Sequence, residues 1–298
     1  MPEFDLIEKY FAPLSIDGLK NDTALLDIPS GYQLVLTSDT SNRGDHFVVE
    51  MSAYDAARKC LRSNLSDLAS SGADLLAYQL NLALPKDLEE GWLKDFAAGL
   101  AADQEEYGIK LSGGDTTGMA AGGLSISITA LGLVPSGTAV LRAGAKDGDL
   151  VVITGILGDA YLCRLHIPTP PVQIAPLVRR YARAAVDISD GILADLGHVC
   201  AASNLGARLA FDKIPFSDKG HAALDSAKAS PEELLTWGED YELAMAVPPD
   251  DFEAFKKDAA ALGITLSAVG VFEQGQGVRI FDSNGQEMRF SKTGWQHF

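Results

Sequence analysis

Two stretches of the chain alternate apolar and polar side chains one residue at a time. In the first, Tyr78, Leu80, Leu82 and Leu84 interleave with Gln79, Asn81 and Ala83; in the second, Leu124, Ile126 and Ile128 interleave with Ser125, Ser127 and Thr129. A period of two belongs to a β-strand, whose successive side chains point to opposite faces. Between the two stretches Trp92, Phe96 and Leu100 recur at every fourth position, the spacing of one helical face. A second helix is expected from about Ser52 to Ser71, where Ala57, Leu61, Leu65 and Leu68 recur, with Ser52 as N-cap and Gly72 as stop. Asn64 and Asp67, three residues apart, then share one polar edge of that helix. Before it, Leu34-Val35-Leu36-Thr37-Ser38-Asp39 reads as a short strand ending in two hydroxyls and a carboxylate, followed by a glycine-containing turn at 43–47. Strands and helices alternate through this half, which predicts an α/β architecture.

At 298 residues the chain exceeds the usual size of a single core, so two domains are expected. The turn-rich stretch Arg142-Ala143-Gly144-Ala145-Lys146-Asp147-Gly148-Asp149 precedes a new apolar strand, Leu150 to Thr154, and sets the boundary: 1–141 and 142–298. In the second half, helices are predicted near 158–165, 190–203 and 251–262, and strands near 241–247 and 265–271.

With 24 Lys and Arg against 41 Asp and Glu, the net charge of −17 repels a nucleic-acid backbone, and the basic residues form no cluster. Most of those carboxylates belong on a solvated surface. Cys60, Cys163 and Cys200 are odd in number and lack a C-x-x-C pair, which argues against a disulfide framework or a thiolate zinc site and favours a reducing cytoplasm. The first residues, Met1-Pro2-Glu3-Phe4-Asp5, carry no basic run before an apolar stretch, and no apolar segment of about 18 residues occurs, so neither export nor membrane insertion is expected.

The P-loop, G-x-G-x-x-G, H-E-x-x-H and G-x-S-x-G patterns are all missing from the sequence. What recurs is an aspartate among small residues: Asn21-Asp22, Ser38-Asp39, Ser66-Asp67, Gly113-Gly114-Asp115 and Asp187-Ile188-Ser189-Asp190-Gly191. One such aspartate is usually a helix cap or an Asx-turn. Several together suit magnesium, a hard cation that takes oxygen ligands and shares its shell with substrate phosphates. Gly113 and Gly114 either let backbone amides approach a phosphate or form a plain tight turn, with Thr116 and Thr117 supplying hydroxyls. Phosphoryl transfer needs little beyond alignment and charge neutralisation, so no covalent nucleophile is required.

Eight ordered motifs resemble the thiamine-monophosphate kinase family of the aminoimidazole-ribonucleotide-synthetase-like superfamily, nearly end to end. They are Asn21-Asp22-Thr23-Ala24-Leu25-Leu26, Thr37-Ser38-Asp39-Thr40, Gly44-Asp45-His46-Phe47, Asn64-Leu65-Ser66-Asp67-Leu68-Ala69, Gly113-Gly114-Asp115-Thr116-Thr117, Asp187-Ile188-Ser189-Asp190-Gly191, Gly238-Glu239-Asp240-Tyr241-Glu242-Leu243 and Gly294-Trp295-Gln296-His297-Phe298. The resemblance implies that Asp22, Thr37, Ser38, Asp39, Asp67, Asp115, Asp187 and Asp190 hold several magnesium ions. Asp39, Asp67, Asp115 and Asp190 are then the centre of catalysis. It further implies that Tyr107, Gly114, Asp115, Arg142 and Ser189 contact ATP, and that His46, Glu239 and Trp295 contact thiamine monophosphate. The reaction implied is direct transfer of the ATP γ-phosphoryl group to thiamine monophosphate, giving thiamine diphosphate and ADP. The fold implied has an N-terminal α/β domain whose strands form a β-barrel across a homodimer, and a larger C-terminal α+β domain.

Two positions depart from the family pattern. The family's first motif usually carries two adjacent aspartates after glycine, whereas here Lys20 and Asn21 precede Asp22, and Gly118-Met119 stands where an arginine usually follows the threonines. The first departure removes a carboxylate and the second a cation expected near phosphate. Two other readings fit such a chain: an ATP-dependent relative acting on a formylglycinamidine ribonucleotide or similar substrate, and an idle relative that binds nucleotide or thiamine phosphate as a sensor. The terminal Gly294–Phe298 and the Gly238–Leu243 segments favour the thiamine enzyme over the first.

Overall fold

The computed structural model describes residues 3–119 and 123–296. The chain divides into two compact units, residues 1–68 with 74–137, and residues 69–73 with 138–298. Unit 1 contains α1 (Glu3–Leu6), β1 (Tyr32–Asn42), α2 (Ala53–Ser70), β2 (Asp74–Pro85), α3 (Glu90–Tyr107), β3 (Lys110–Met119) and β4 (Ser125–Pro135); the last two residues of α2, Ala69 and Ser70, are counted with unit 2. Among the described residues its strands form an open four-stranded sheet in the order β1-β4-β2-β3, not a closed barrel.

Alternation decides which face is covered. Leu80, Leu82, Ile126 and Ile128 are buried, as are Ala57, Leu61, Leu65 and Leu68 of α2 and Phe96 and Leu100 of α3. The opposite face carries Ser38, Thr40, Gln79, Asn81, Ser127 and Thr129, which the register places side by side. There Ser38 and Thr129 share a hydrogen bond of 2.9 Å, and Thr40 and Ser127 one of 2.8 Å. Ser52 caps α2 as expected, accepting from the Asp55 amide at 3.1 Å. Gly72 ends its C-terminal turn with φ +69°.

β1 is longer than the expected Leu34–Asp39 strand. Its whole length pairs with β4, Tyr32 opposite Pro135 through Asn42 opposite Ser125. Thr37, Ser38 and Asp39 therefore lie in mid-strand rather than at a strand end. Gly113-Gly114-Asp115-Thr116-Thr117 is also strand and not a loop, running parallel to β2 with Asn81 opposite Asp115. Gly114 is required there by close approach, because a Cβ would lie 1.8 Å from the Leu80 carbonyl oxygen.

Unit 2 contains β5 (Leu150–Thr154), α4 (Asp159–Leu162), α5 (Ala175–Tyr181), β6 (Ala184–Asp187), α6 (Ile192–Ser203), β7 (Gly206–Ala210), α7 (Asp218–Asp225), α8 (Pro231–Thr236), β8 (Leu243–Val247), α9 (Phe252–Ala260), β9 (Leu266–Glu273), β10 (Gly277–Phe281) and β11 (Glu287–Met288). Among the described residues they build a mixed seven-stranded sheet, β11-β10-β7-β9-β5-β8-β6. Val151 and Ile153 pack into one core with Leu196 and Val199 of α6, while Val152 packs into a second core with Val178 of α5 and Phe255 of α9. The central strands are thus buried on both faces, which is why Leu150–Thr154 and Leu243–Val247 read as continuous apolar runs.

Candidate functional site

In unit 1, alternation distributes the expected ligands over both faces of the sheet. Thr37 and Asp39 point to the helix-covered face, Ser38 and Asp115 to the open one. Thr37 Oγ1 donates to Asp67 Oδ2 at 2.5 Å, which ties β1 to α2. The Asp39 amide donates to Asn64 Oδ1 at 3.2 Å, and the Asn64 amide nitrogen donates to the Cys60 carbonyl at 3.0 Å. Asn64 is fully buried rather than on a solvated edge, because both ends of its amide are used inside the fold. Asp22, Gly113, Gly114, Asp115 and Thr116 line an open cleft of about 700 Å³ that also takes in Asn21 and Asn81. Oxygen donors from four separate segments are therefore divided between the two faces of one sheet. Among the described residues no three His, Cys, Asp or Glu side chains already converge as a metal-holding group.

Tyr107 ends α3, its hydroxyl buried without a hydrogen-bond partner. The Arg62 guanidinium lies over its ring at 5.0 Å. Arg62 is gripped in turn by Asp103, through Nε at 2.9 Å and Nη2 at 2.8 Å, and by Glu106 at 2.6 Å. Arg58 adds a bond to Asp103 at 2.9 Å. With Asp103 at 0% exposure and Arg62 at 3%, this network is interior. It joins the helix that carries Asp67 to the helix that carries Tyr107. His46 accepts from the Asn42 amide at 3.2 Å and lies 3.5 Å from the Asp45 carboxylate.

In unit 2, Asp187 ends β6 and Ser189-Asp190-Gly191 turns into α6. The amides of Ser189 and Asp190 both donate to Asp195 Oδ2, at 3.0 and 2.9 Å. Burial pushes the Asp195 carboxyl up to about 7 against those two bonds. A second loop is laced to this turn by main-chain bonds: Glu239 N to Ser189 O at 2.7 Å, Tyr241 N to Ile188 O at 2.8 Å and Ile188 N to Glu242 O at 2.7 Å. Glu239 and Tyr241 hold φ of +63° and +51°, a conformation L-residues adopt only when the surroundings impose it. Gly238 has no alternative, since a Cβ would stand 2.2 Å from the Ser189 carbonyl oxygen. Behind the loop, burial raises Asp240 well above the usual carboxylate range and Glu242 to about 7, Glu242 accepting from Thr154 and Asp240 from the Gly158 amide at 2.9 Å. Arg142 is exposed, its carbonyl 3.5 Å from Ser203 Oγ. Trp295 is 39% exposed and its amide donates to the Asp190 carbonyl at 2.9 Å. His297 and Phe298 of the terminal motif lie outside the described residues.

Four contacts of this framework have no place in the sequence expectation: Asn64 with Asp39, Arg62 with Tyr107, Asp195 with the Ser189-Asp190 amides, and Trp237 with Trp295. Only Asp195 left a local signal, as an acid in the first turn of α6.

The family descriptions "AIR synthase related protein, N-terminal domain" and "AIR synthase related protein, C-terminal domain" match residues 20–134 and 139–283. Thiamine-monophosphate kinase of Caulobacter vibrioides is 37% identical over 99% of this chain and 90% of its own length. The chain belongs to the thiamine-monophosphate kinase family. Among solved structures, the family member from Stenotrophomonas maltophilia K279a superposes with a TM-score of 0.84 at 37% identity, over 97% of this chain and 98% of that one. AaThiL complexed with AMPPCP and TMP superposes with a TM-score of 0.80 at 26% identity, over 99% and 96%.

Proposed function

We propose that this chain transfers the γ-phosphoryl group of ATP to thiamine monophosphate, forming thiamine diphosphate and ADP. The observation that carries the proposal is the full-length likeness, in sequence and fold, to a family that includes AaThiL complexed with AMPPCP and TMP. The catalytic framework fits the reaction. Phosphoryl transfer asks for alignment and charge neutralisation, and the assigned residues are oxygen donors carried on strands, a helix and turns.

We assign Asp22, Thr37, Ser38, Asp39, Asp67 and Asp115 of unit 1, and Asp187 and Asp190 of unit 2, to magnesium. All are oxygen donors, which is the chemistry magnesium selects, and their scatter over separate segments suits an ion that completes its shell with water and phosphate. When bound, magnesium neutralises the charge of the phosphates. The chain's own residues do the rest. Asn64 and Thr37 hold Asp39 and Asp67 in register, and Asp195 fixes the amides of the Ser189-Asp190 turn. Tyr107, Gly114, Asp115, Arg142 and Ser189 are assigned to ATP; His46, Glu239 and Trp295 to thiamine monophosphate, whose cationic ring suits a carboxylate and an aromatic. Asp39→Asn and Asp67→Asn test the assignment: each should abolish turnover and shift the melting temperature only slightly, and wild-type turnover in either variant refutes it.

A cytoplasmic homodimer belongs to the same proposal. On the open face of edge strand β1, Tyr32 and Leu36 are exposed, and an edge with apolar side chains is a pairing surface that needs covering. Among the described residues no helix is long and apolar enough to cross a membrane.

A further inference from the structure

Three aromatic rings form a row in unit 2. Tyr161 and Trp237 meet edge to face, with centroids 5.4 Å apart and planes at 74°; Trp237 and Trp295 do the same at 5.8 Å and 64°. The inner end of the row is anchored. The Tyr161 hydroxyl donates to Glu233 Oε1 at 2.7 Å, and Glu233 closes a capping box with Ser230 at the start of α8, the helix that ends at Trp237. The outer end, Trp295, is the half-exposed member.

Residues so near a chain end usually fray unless they are tied down. The main chain here is tied. Trp295 donates its amide to the Asp190 carbonyl, and Gly294 is seated so closely that a Cβ would lie 2.5 Å from both the Asp190 carbonyl oxygen and the Ala194 Cβ. Such anchors fix the Cα position but not the side-chain torsions, which must come from packing. Trp237 supplies that packing through a ring pair of the preferred edge-to-face geometry. Trp237 also stands two residues before Glu239, and the intervening Gly238 is locked against Ser189. One rigid segment therefore carries both the ring that holds Trp295 and the carboxylate assigned to the substrate's cation.

We propose that Trp237 is a positioning residue for thiamine monophosphate, setting the plane of the Trp295 indole so that a flat cationic ring can stack on it. The inference rests on the assignment of Trp295 to that substrate. Its test uses the full chain with Trp237→Leu, Trp237→Phe and Trp295→Ala. Michaelis constants are measured for each substrate in turn, alongside melting curves and quenching of indole fluorescence by thiamine monophosphate. Trp237→Leu should raise the Michaelis constant for thiamine monophosphate about fivefold, leaving kcat and the constant for ATP within twofold. Trp237→Phe, which keeps a ring, should restore most of the loss. Should Trp237→Leu fail to fold, Trp237→Met takes its place with the same expectation. A fall in melting temperature with equal effects on both substrates overturns the proposal, because it marks Trp237 as structural. If Trp295→Ala weakens thiamine monophosphate and Trp237→Leu does not, the positioning role fails while the Trp295 assignment stands. If Trp295→Ala changes nothing, that assignment falls and this proposal falls with it.

Discussion

Removing the Asp103 carboxylate is the sharpest test of how unit 1 is held in shape. Asp103 is fully buried between α2 and α3 and accepts three hydrogen bonds from Arg58 and Arg62, at 2.9, 2.9 and 2.8 Å. Asp103→Ala strips the buried Arg62 guanidinium of its buried carboxylate partner, and the Glu106 carboxylate that also bonds it is 43% exposed. Breaking one partner out of a buried ion pair costs about 3–5 kcal/mol, since the surviving charge stays out of water. An unfolding entropy of about 2.1 cal/mol/K per residue over 298 residues amounts to about 0.6 kcal/mol/K, so the melting temperature should fall by about 5–8 °C. The fall is larger if unit 1 unfolds by itself. The same network holds Arg62 over the Tyr107 ring, so the Michaelis constant for ATP should rise more than that for thiamine monophosphate. Differential scanning calorimetry of the wild type and Asp103→Ala, with kinetics in each substrate, measures both effects. A melting temperature within 1 °C of wild type refutes the reasoning: the network then contributes nothing net to stability. Asp103→Asn, which keeps the shape and part of the hydrogen bonding, should fall between the two.

Burial pushes the Glu242 carboxyl from the usual 4.5 up to about 7, so the folded state binds the extra proton between those values and stability falls as pH rises through them. The contribution, on the order of 3 kcal/mol, is fully present below pH 4.5 and gone above about 7. Glu242→Gln should flatten that part of the curve of melting temperature against pH, and an unchanged slope contradicts the assignment. Magnesium with a non-hydrolysable ATP analogue should raise the melting temperature of the wild type by linkage, and less so in Asp39→Asn; equal shifts in both count against the metal assignment. Sedimentation at micromolar concentration should give a dimer of about 63 kDa, twice the 31.6 kDa chain, and a monomer alone overturns the proposed β1 interface.

The legible parts of this fold are those where a side-chain period reflects a local choice. Tyr78–Leu84 and Leu124–Thr129 alternate because one face of their sheet is covered by helices and the other is lined with hydroxyls. Leu150–Thr154 does not alternate because it is buried on both faces, and it was recognisable as a strand by its continuous apolar run. Gly113-Gly114 misleads because adjacent glycines suggest a loop, whereas Gly114 answers to the Leu80 carbonyl on a neighbouring strand. Thr37-Ser38-Asp39 looked like a strand end because its hydroxyls and carboxylate follow the apolar residues, yet the register with β4 carries the strand to Asn42. The aspartates of the candidate site were visible as a recurring pattern. What supports them was not, because Thr37 meets Asp67, Arg62 meets Asp103 and Trp237 meets Trp295 across 30, 41 and 58 residues of chain, and no local period encodes such pairings.

The central claim is direct transfer of a phosphoryl group from ATP to thiamine monophosphate, and the fate of the γ-phosphate tests it most directly. The full chain is incubated with magnesium, thiamine monophosphate and ATP labelled in its γ-phosphate, and the products are separated. The account predicts label in the terminal phosphate of thiamine diphosphate, with one ADP formed for each. Label released only as inorganic phosphate, or ATP left intact in the presence of thiamine monophosphate, contradicts it.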